Sequence, residues 1–330
     1  MRIEKSRDEV KKDPKKKVKF TNMNHIKEIM SMDYKPSGSK IKKLNKDQYA
    51  IIETGEIFDY KHIENRAECS NSLRTTFKKL RNLINTNFNG SPNELMLTIT
   101  YKENMTDTKR LYTDFDKFMK RLRYKFKNTT KIEYINVVEP QGRGAWHCHI
   151  LLKFIDLEKA FVPNKTIAAL WGQGFVTVKK INTNGVDNIG AYLSAYLGDI
   201  ELGDDSLKQL NKKEIEKLNV KTVEIDGKEK KFVKGARLHL YPPGMQIFRK
   251  SKGIKEPEVS WITYEEAKKI VDTPARFAYH SLIDIFDDSG EKVNSISYEF
   301  YNTKRRIYNN YTKKERERQM ANVFSPPKIK

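Results

Sequence analysis

An α+β fold on a mainly antiparallel sheet is predicted for the middle of this 330-residue chain, from about residue 70 to 202. Three observations predict it. Several short segments alternate apolar and polar residues with period two, as half-buried strands do. Amphipathic segments of helical period separate some of them. Two consecutive strand patterns are joined by a tight loop, which a purely parallel βαβ arrangement does not allow.

The elements follow in order. "LMLTITY" puts Leu95, Leu97, Ile99 and Tyr101 on one face and Met96, Thr98 and Thr100 on the other. The next segment, capped by Thr106 or Asp107, repeats Leu111, Phe115, Phe118 and Leu122 at helical spacing, with Lys117, Lys120, Arg121 and Arg123 outside. "KIEYINVVEP" is a second strand stopped by Pro140, and "WHCHILLKF" a third beyond the loop "QGRGA". "NKTIAALWGQG" makes a short helix ending at Gly172 or Gly174, and "FVTVKKI" a fourth strand. "NGVDNIGAYLSAYLGD" is a helix that Asp187 or Asn188 can cap. Before the domain, "SLRTTFKKLRNLI" is a basic helix. After it come a polar helix in "SLKQLNKKEIEKLN", a hairpin turning at Asp226-Gly227, a strand and Pro-Pro turn in "GARLHLYPPG", a basic strand and a helix in "TYEEAKKIV". The expected organisation is a basic N-terminal extension (1–70), a central domain (71–202) and an appended C-terminal region (203–330) that binds DNA or a partner.

The chain carries 64 Lys+Arg against 43 Asp+Glu, a formal charge of +21. So large an excess repels itself in the compact state and points to a polyanion as partner, nucleic acid before an anionic membrane surface. Residues 1–43 hold 14 Lys/Arg and 6 Asp/Glu and lack sustained apolar periodicity until about Ile26, which predicts a largely mobile arm. From Thr303 onward a charged helix followed by a frayed end is expected. With only Cys69 and Cys148, a disulfide scaffold is excluded and a reducing cytoplasm expected. No apolar run is long enough to span a membrane. No GxxxxGK[ST] run occurs, so a fused P-loop helicase is not expected.

The third strand carries the chemistry. Trp146, Cys148, Ile150, Leu152 and Phe154 share its core face, and His147 and His149 share the other. Cys148 is then a small hydrophobe. The two histidines stand about 7 Å apart along the strand, within reach of one divalent ion. Glu139 ends the preceding strand, and a hairpin pairing of the two strands sets it beside them. Two imidazoles and a carboxylate make a mixed N/O site with open positions. Such a site suits an ion that polarises a phosphoryl oxygen, and equally a non-haem iron oxygenase. Tyr192 and Tyr196 lie one helical turn apart on one face, where a phenol can serve as nucleophile beside a metal-bound phosphate.

In these stretches the middle domain resembles the HUH endonucleases, specifically the rolling-circle replication initiator (Rep) proteins of bacterial plasmids, phages and integrative elements. "LMLTITY" resembles the first Rep motif, a strand that helps bind origin DNA. "HCHILL" resembles the His-hydrophobic-His metal motif, with Glu139 at the usual distance for a third ligand. "AYLSAYLGD" resembles the nucleophile helix, and "GAWHCH", "WGQGFVTVKKI" and "GARLHLYPPG" resemble one bacterial branch.

The resemblance implies a ferredoxin- or RRM-like antiparallel sheet with helices. It implies Mg²⁺ or Mn²⁺ held by Glu139, His147 and His149. It implies attack by Tyr192 or Tyr196 on the scissile phosphate of single-stranded or hairpin origin DNA, giving a 5′-phosphotyrosyl enzyme and a free 3′-OH. Host helicase and polymerase would be partners, in a bacterial cytoplasm. Tyr192 matches the usual nucleophile position better. Many relatives place a lysine three residues after a nucleophile tyrosine; here those places hold Ala195 and Asp199, and Arg143 is the nearest substitute in the sequence. A relaxase, a transposase or a non-catalytic nucleic-acid-binding protein on the same fold are the alternatives.

Overall fold

A computed structural model describes residues 2–34, 40–60, 70–141, 144–181, 190, 200–201, 220–225, 228–233, 240–242, 244–271 and 277–303. The chain divides into two compact units: Met1–Thr21, Lys27–Glu64 and Val259–Ile307 in one, Asn22–Ile26, Asn65–Glu258 and Tyr308–Lys330 in the other. The architecture is mixed α and β, and every described strand pair is antiparallel.

The first unit contains ordered strands where the sequence predicts a mobile arm. Strands β1 (Arg2–Ser6), β2 (Lys17–Met23) and β3 (Ile26–Met32) join β15 (Glu258–Thr263), β16 (Phe277–Phe286) and β17 (Lys292–Asn302) in a six-stranded sheet ordered β1-β16-β17-β3-β2-β15. The period-two signal of β2 rests on Val18 and Phe20, separated and preceded by lysines, so composition masks it. Val18, Phe20 and Ile29 pack with Tyr301 and with Ala267 and Val271 of helix α4 (Tyr264–Val271), and that core orders the arm. Strands β4 (Ile41–Lys43), β5 (Gln48–Ile51) and β6 (Ile57–Asp59) form a small separate meander.

The second unit carries the central domain. Helix α1 spans Ser70–Asn87, β7 Glu94–Thr100, α2 Thr108–Phe126, β8 Ile132–Pro140, β9 Trp146–Phe154, α3 Asn164–Trp171 and β10 Val176–Lys180. With β14 (Phe248–Lys250) the strands are ordered β10-β7-β9-β8-β14. Asp107 caps α2, accepting from the backbone N–H of Lys109 (2.8 Å) and Arg110 (3.2 Å), and Gly172 caps the C-terminus of α3. Leu95, Leu97, Ile99, Cys148, Ile150, Leu152 and Phe154 bury one sheet face with Leu111, Phe115, Phe118 and Leu122 of α2 and Trp171 of α3. The other face carries His147, His149 and Lys153. At its far end the Lys153 ammonium donates to the Asn87 carbonyl at the end of α1 (2.9 Å) and pairs with Glu94 (3.0 Å).

The predicted hairpin around Asp226-Gly227 is present as β12 (Val220–Ile225) paired with β13 (Lys228–Val233), alongside β11 (Ile200–Glu201). The predicted helix in 206–219, the strand in 234–239 and the tail beyond 303 lie outside the described residues. Among the described residues no helix is long and apolar enough to cross a membrane.

Candidate metal centre

The geometry begins with register. In the β8–β9 hairpin Glu139 stands opposite His147, and Thr98 of β7 stands opposite His149 on the other flank. Because alternation sends residues 139, 147 and 149 to one face, the three side chains converge without any loop being asked to position them. The Glu139 Oε2 atom lies 2.9 Å from His147 Nε2 and 2.7 Å from His149 Nε2. Candidate ligand atoms of all three lie within 4.8 Å of one another. The rings themselves meet edge-on, with centroids 4.8 Å apart.

Burial sets the electrostatics. Removal from water pushes His147 down to about 3, helped by the neighbouring His149 ring, and pushes His149 down to about 4. Both imidazoles are therefore neutral at physiological pH, the state in which a ring nitrogen can ligate a metal. Glu139, nearly fully buried, adds the one anionic oxygen. Each ring has its other nitrogen engaged: His149 Nδ1 lies 3.2 Å from the Thr98 hydroxyl, and His147 Nδ1 lies 3.4 Å from the Gln141 amide nitrogen. Such partners fix ring orientation and tautomer around a metal. Two nitrogens and one carboxylate oxygen, partly open to solvent, fit a hard or borderline divalent ion. Cys148 sits on the opposite, core face, its thiol pushed up to about 12 by burial, and takes no part.

Trp146 is buried as its alternation predicts. Its indole N–H donates to the Thr106 carbonyl (3.0 Å), and its ring packs 5.7 Å from that of Tyr241. Tyr241, from the "GARLHLYPPG" segment, is itself fully buried and donates its hydroxyl to the Val138 carbonyl (3.0 Å), so this later segment buttresses the end of the hairpin that holds the ligands. Thr98, Gln141 and Tyr241 are functional neighbours that no motif in the sequence singles out. For Thr98 a signal exists: it falls on the polar side of β7, and antiparallel pairing brings that side beside the histidines.

Tyr192, Tyr196 and Arg143 lie outside the described residues. Near the tyrosines Gly190 is described: it is helical and buried, and its N–H donates to the Asn85 side-chain oxygen of α1 (3.0 Å). A Cβ placed there would sit 2.4 Å from the Arg81 carbonyl oxygen, so glycine alone permits this approach to α1. The chain two residues before Tyr192 is thereby tied to α1.

Neither a search of curated proteins nor one of solved structures returns a match. About a third of the chain, residues 94–201, from the first strand of the central sheet through the three convergent side chains to the segment bearing Tyr192 and Tyr196, matches the model of the replication-associated protein ORF2 family, which supports a replication initiator.

Proposed function

We propose that the central domain is an HUH-type nicking domain that initiates rolling-circle replication at an origin. The convergence of Glu139, His147 and His149 on one sheet face carries this reading. The strand–helix order supports it: β7-α2-β8-β9-α3-β10 with spatial order β10-β7-β9-β8 is the split βαβ pattern of ferredoxin-like folds. The family match over the same residues favours DNA processing over an iron oxygenase.

A divalent ion, Mg²⁺ or Mn²⁺, held by Glu139, His147 and His149 would supply positive charge to a non-bridging oxygen of the scissile phosphate. Tyr192 or Tyr196 then does the chemistry. The phenol gives up its proton, its oxygen bonds to phosphorus, and the bond from phosphorus to the 3′ oxygen of the preceding nucleotide breaks. That oxygen leaves as a 3′-hydroxyl for a host polymerase to extend, with a host helicase opening the duplex, and the 5′ phosphate stays on the tyrosine. Attack by a 3′-hydroxyl on the phosphotyrosine reverses the step and religates the strand.

The test uses single-stranded oligonucleotides tiled across the DNA flanking the coding sequence, incubated with full-length protein and Mn²⁺. The expected result is one cleaved sequence with a covalent protein–DNA adduct, lost in Tyr192→Phe or Tyr196→Phe and blocked by chelator. A second reading is favoured by the Ala195 and Asp199 side chains standing where relatives carry lysine: a nucleic-acid-binding protein without catalysis. Chelator-insensitive binding with no adduct at any oligonucleotide would establish it and overturn the first.

A further inference from the structure

Resting on the nicking-domain reading and deepening it, we infer that Phe175 is a stacking platform that holds a base of the single strand beside the metal centre. The residue is 72% exposed, among the most exposed large apolar side chains of the protein. Its position is set by register. Val176 pairs with Ile99 on the core face, so Phe175 falls on the other face, opposite Thr100. Thr100 pairs with His147, and His147 with Glu139. Phe175, Thr100, His147 and Glu139 thus form one row across the sheet, with Phe175 two strands, or about 10 Å at the backbone, from His147.

An exposed aromatic on a loose loop would carry no such argument, but this backbone is held from several sides. The Phe175 carbonyl accepts from the Thr100 N–H (2.9 Å) and hydroxyl (3.2 Å), and the Gln173 carbonyl accepts from the Lys102 N–H (3.0 Å). The Trp171 indole N–H donates to the Thr100 carbonyl (2.8 Å). Gly174 lies so close to the Thr100–Lys102 backbone that an added Cβ would meet Lys102 N and the Thr100 carbonyl oxygen at 2.5 Å. The turn is clamped, and the clamp delivers a ring to solvent in line with the histidines. Farther along the same edge strand and face, Thr177 and Lys179 are exposed as well, so a hydroxyl and a cation follow the ring at every second residue. An aromatic face beside phosphate-binding groups is how proteins hold single strands with little sequence preference.

Binding of a fluorescein-labelled oligothymidylate to the full chain, in chelator so that no strand is cut, tests the inference by anisotropy. Phe175→Ala should weaken binding roughly 5- to 150-fold, the effect of losing one stacked base. The slope of log affinity against log salt should stay unchanged, because no phosphate contact is removed. Phe175→Trp should restore affinity, with fluorescence at the new indole quenched on binding. Wild-type affinity in Phe175→Ala, or rescue by Phe175→Leu as complete as by Trp, would overturn the proposal, the latter pointing to an apolar protein partner instead. The readout is independent of nicking: loss of cleavage with intact Phe175-dependent binding would sink the nuclease reading alone.

Discussion

Thr98→Val isolates what holds the metal centre in shape. In the metal-free arrangement each His Nε2–H donates to Glu139, so His149 Nδ1 accepts from the Thr98 hydroxyl at 3.2 Å. With Nε2 on a metal the proton moves to Nδ1, and the same hydroxyl, able to accept as well as donate, takes it. Valine keeps the shape of the β7 side chain and removes both roles. Losing such an outer partner weakens a metal site about 10- to 100-fold, or about 1.4–2.8 kcal/mol. Isothermal titration with Mn²⁺ measures this directly, and melting gives a second readout. At free Mn²⁺ near 100 times the wild-type Kd, bound metal stabilises the wild type by about 2.7 kcal/mol, and the variant by about 1.4 or about 0.4 kcal/mol at tenfold or hundredfold weaker affinity. For a unit of this size about 2–4 °C accompanies each kcal/mol, so a metal-induced shift of roughly 5–11 °C should shrink to about 1–6 °C. A variant Kd within about twofold of wild type would refute the orienting role of Thr98.

Three further outcomes are expected. Glu139→Gln removes the anionic ligand while keeping side-chain size, so Mn²⁺ binding by calorimetry and the adduct on gels should both disappear, and retained tight Mn²⁺ binding would show that the ion lies elsewhere. Gly190→Ala forces a Cβ against the Arg81 carbonyl and should cost about 1–3 kcal/mol by denaturant unfolding, with loss of adduct exceeding loss of metal binding because the tyrosine segment, not the ligand set, is displaced. In the other unit, burial alone would raise the Glu299 carboxyl, but hydrogen bonds from Lys12 (2.6 Å) and the Tyr301 hydroxyl, with the Lys12 and Lys268 charges, outweigh it and hold it below its usual range. A depressed carboxyl contributes stability that is present above the unfolded pKa and lost as pH falls through the folded one. Glu299→Gln, which strands the buried Lys12, should therefore cost about 3–5 kcal/mol near neutrality and far less in acid, and an equal loss at both pH values would contradict the assignment.

Much of the site is legible in the linear order of residues. Alternation alone assigns His147 and His149 to one face and Cys148 to the core, since a strand leaves its side chains only two directions. Glu139 is legible one step less directly: its place beside His147 requires the hairpin pairing, which the short loop implies. The N-terminal strands are not legible, because β1 to β3 are completed by β15, β16 and β17 from more than 200 residues away, and a partner that distant leaves no local pattern.

The amino-acid sequence by itself determined which groups are available and which way each points along its own strand: two imidazoles, a carboxylate, a pair of phenols and a large positive charge. Only the tertiary structure decided their company. Strand register brought Thr98 behind His149 and Phe175 into the row of His147. Close packing set Gly190 against α1, and the fold of the second unit brought Tyr241 beneath Trp146. The physical reason is range. Side-chain direction follows from backbone geometry one residue at a time, whereas register, helix approach and burial emerge from contacts among segments far apart in the chain, which no local spacing encodes.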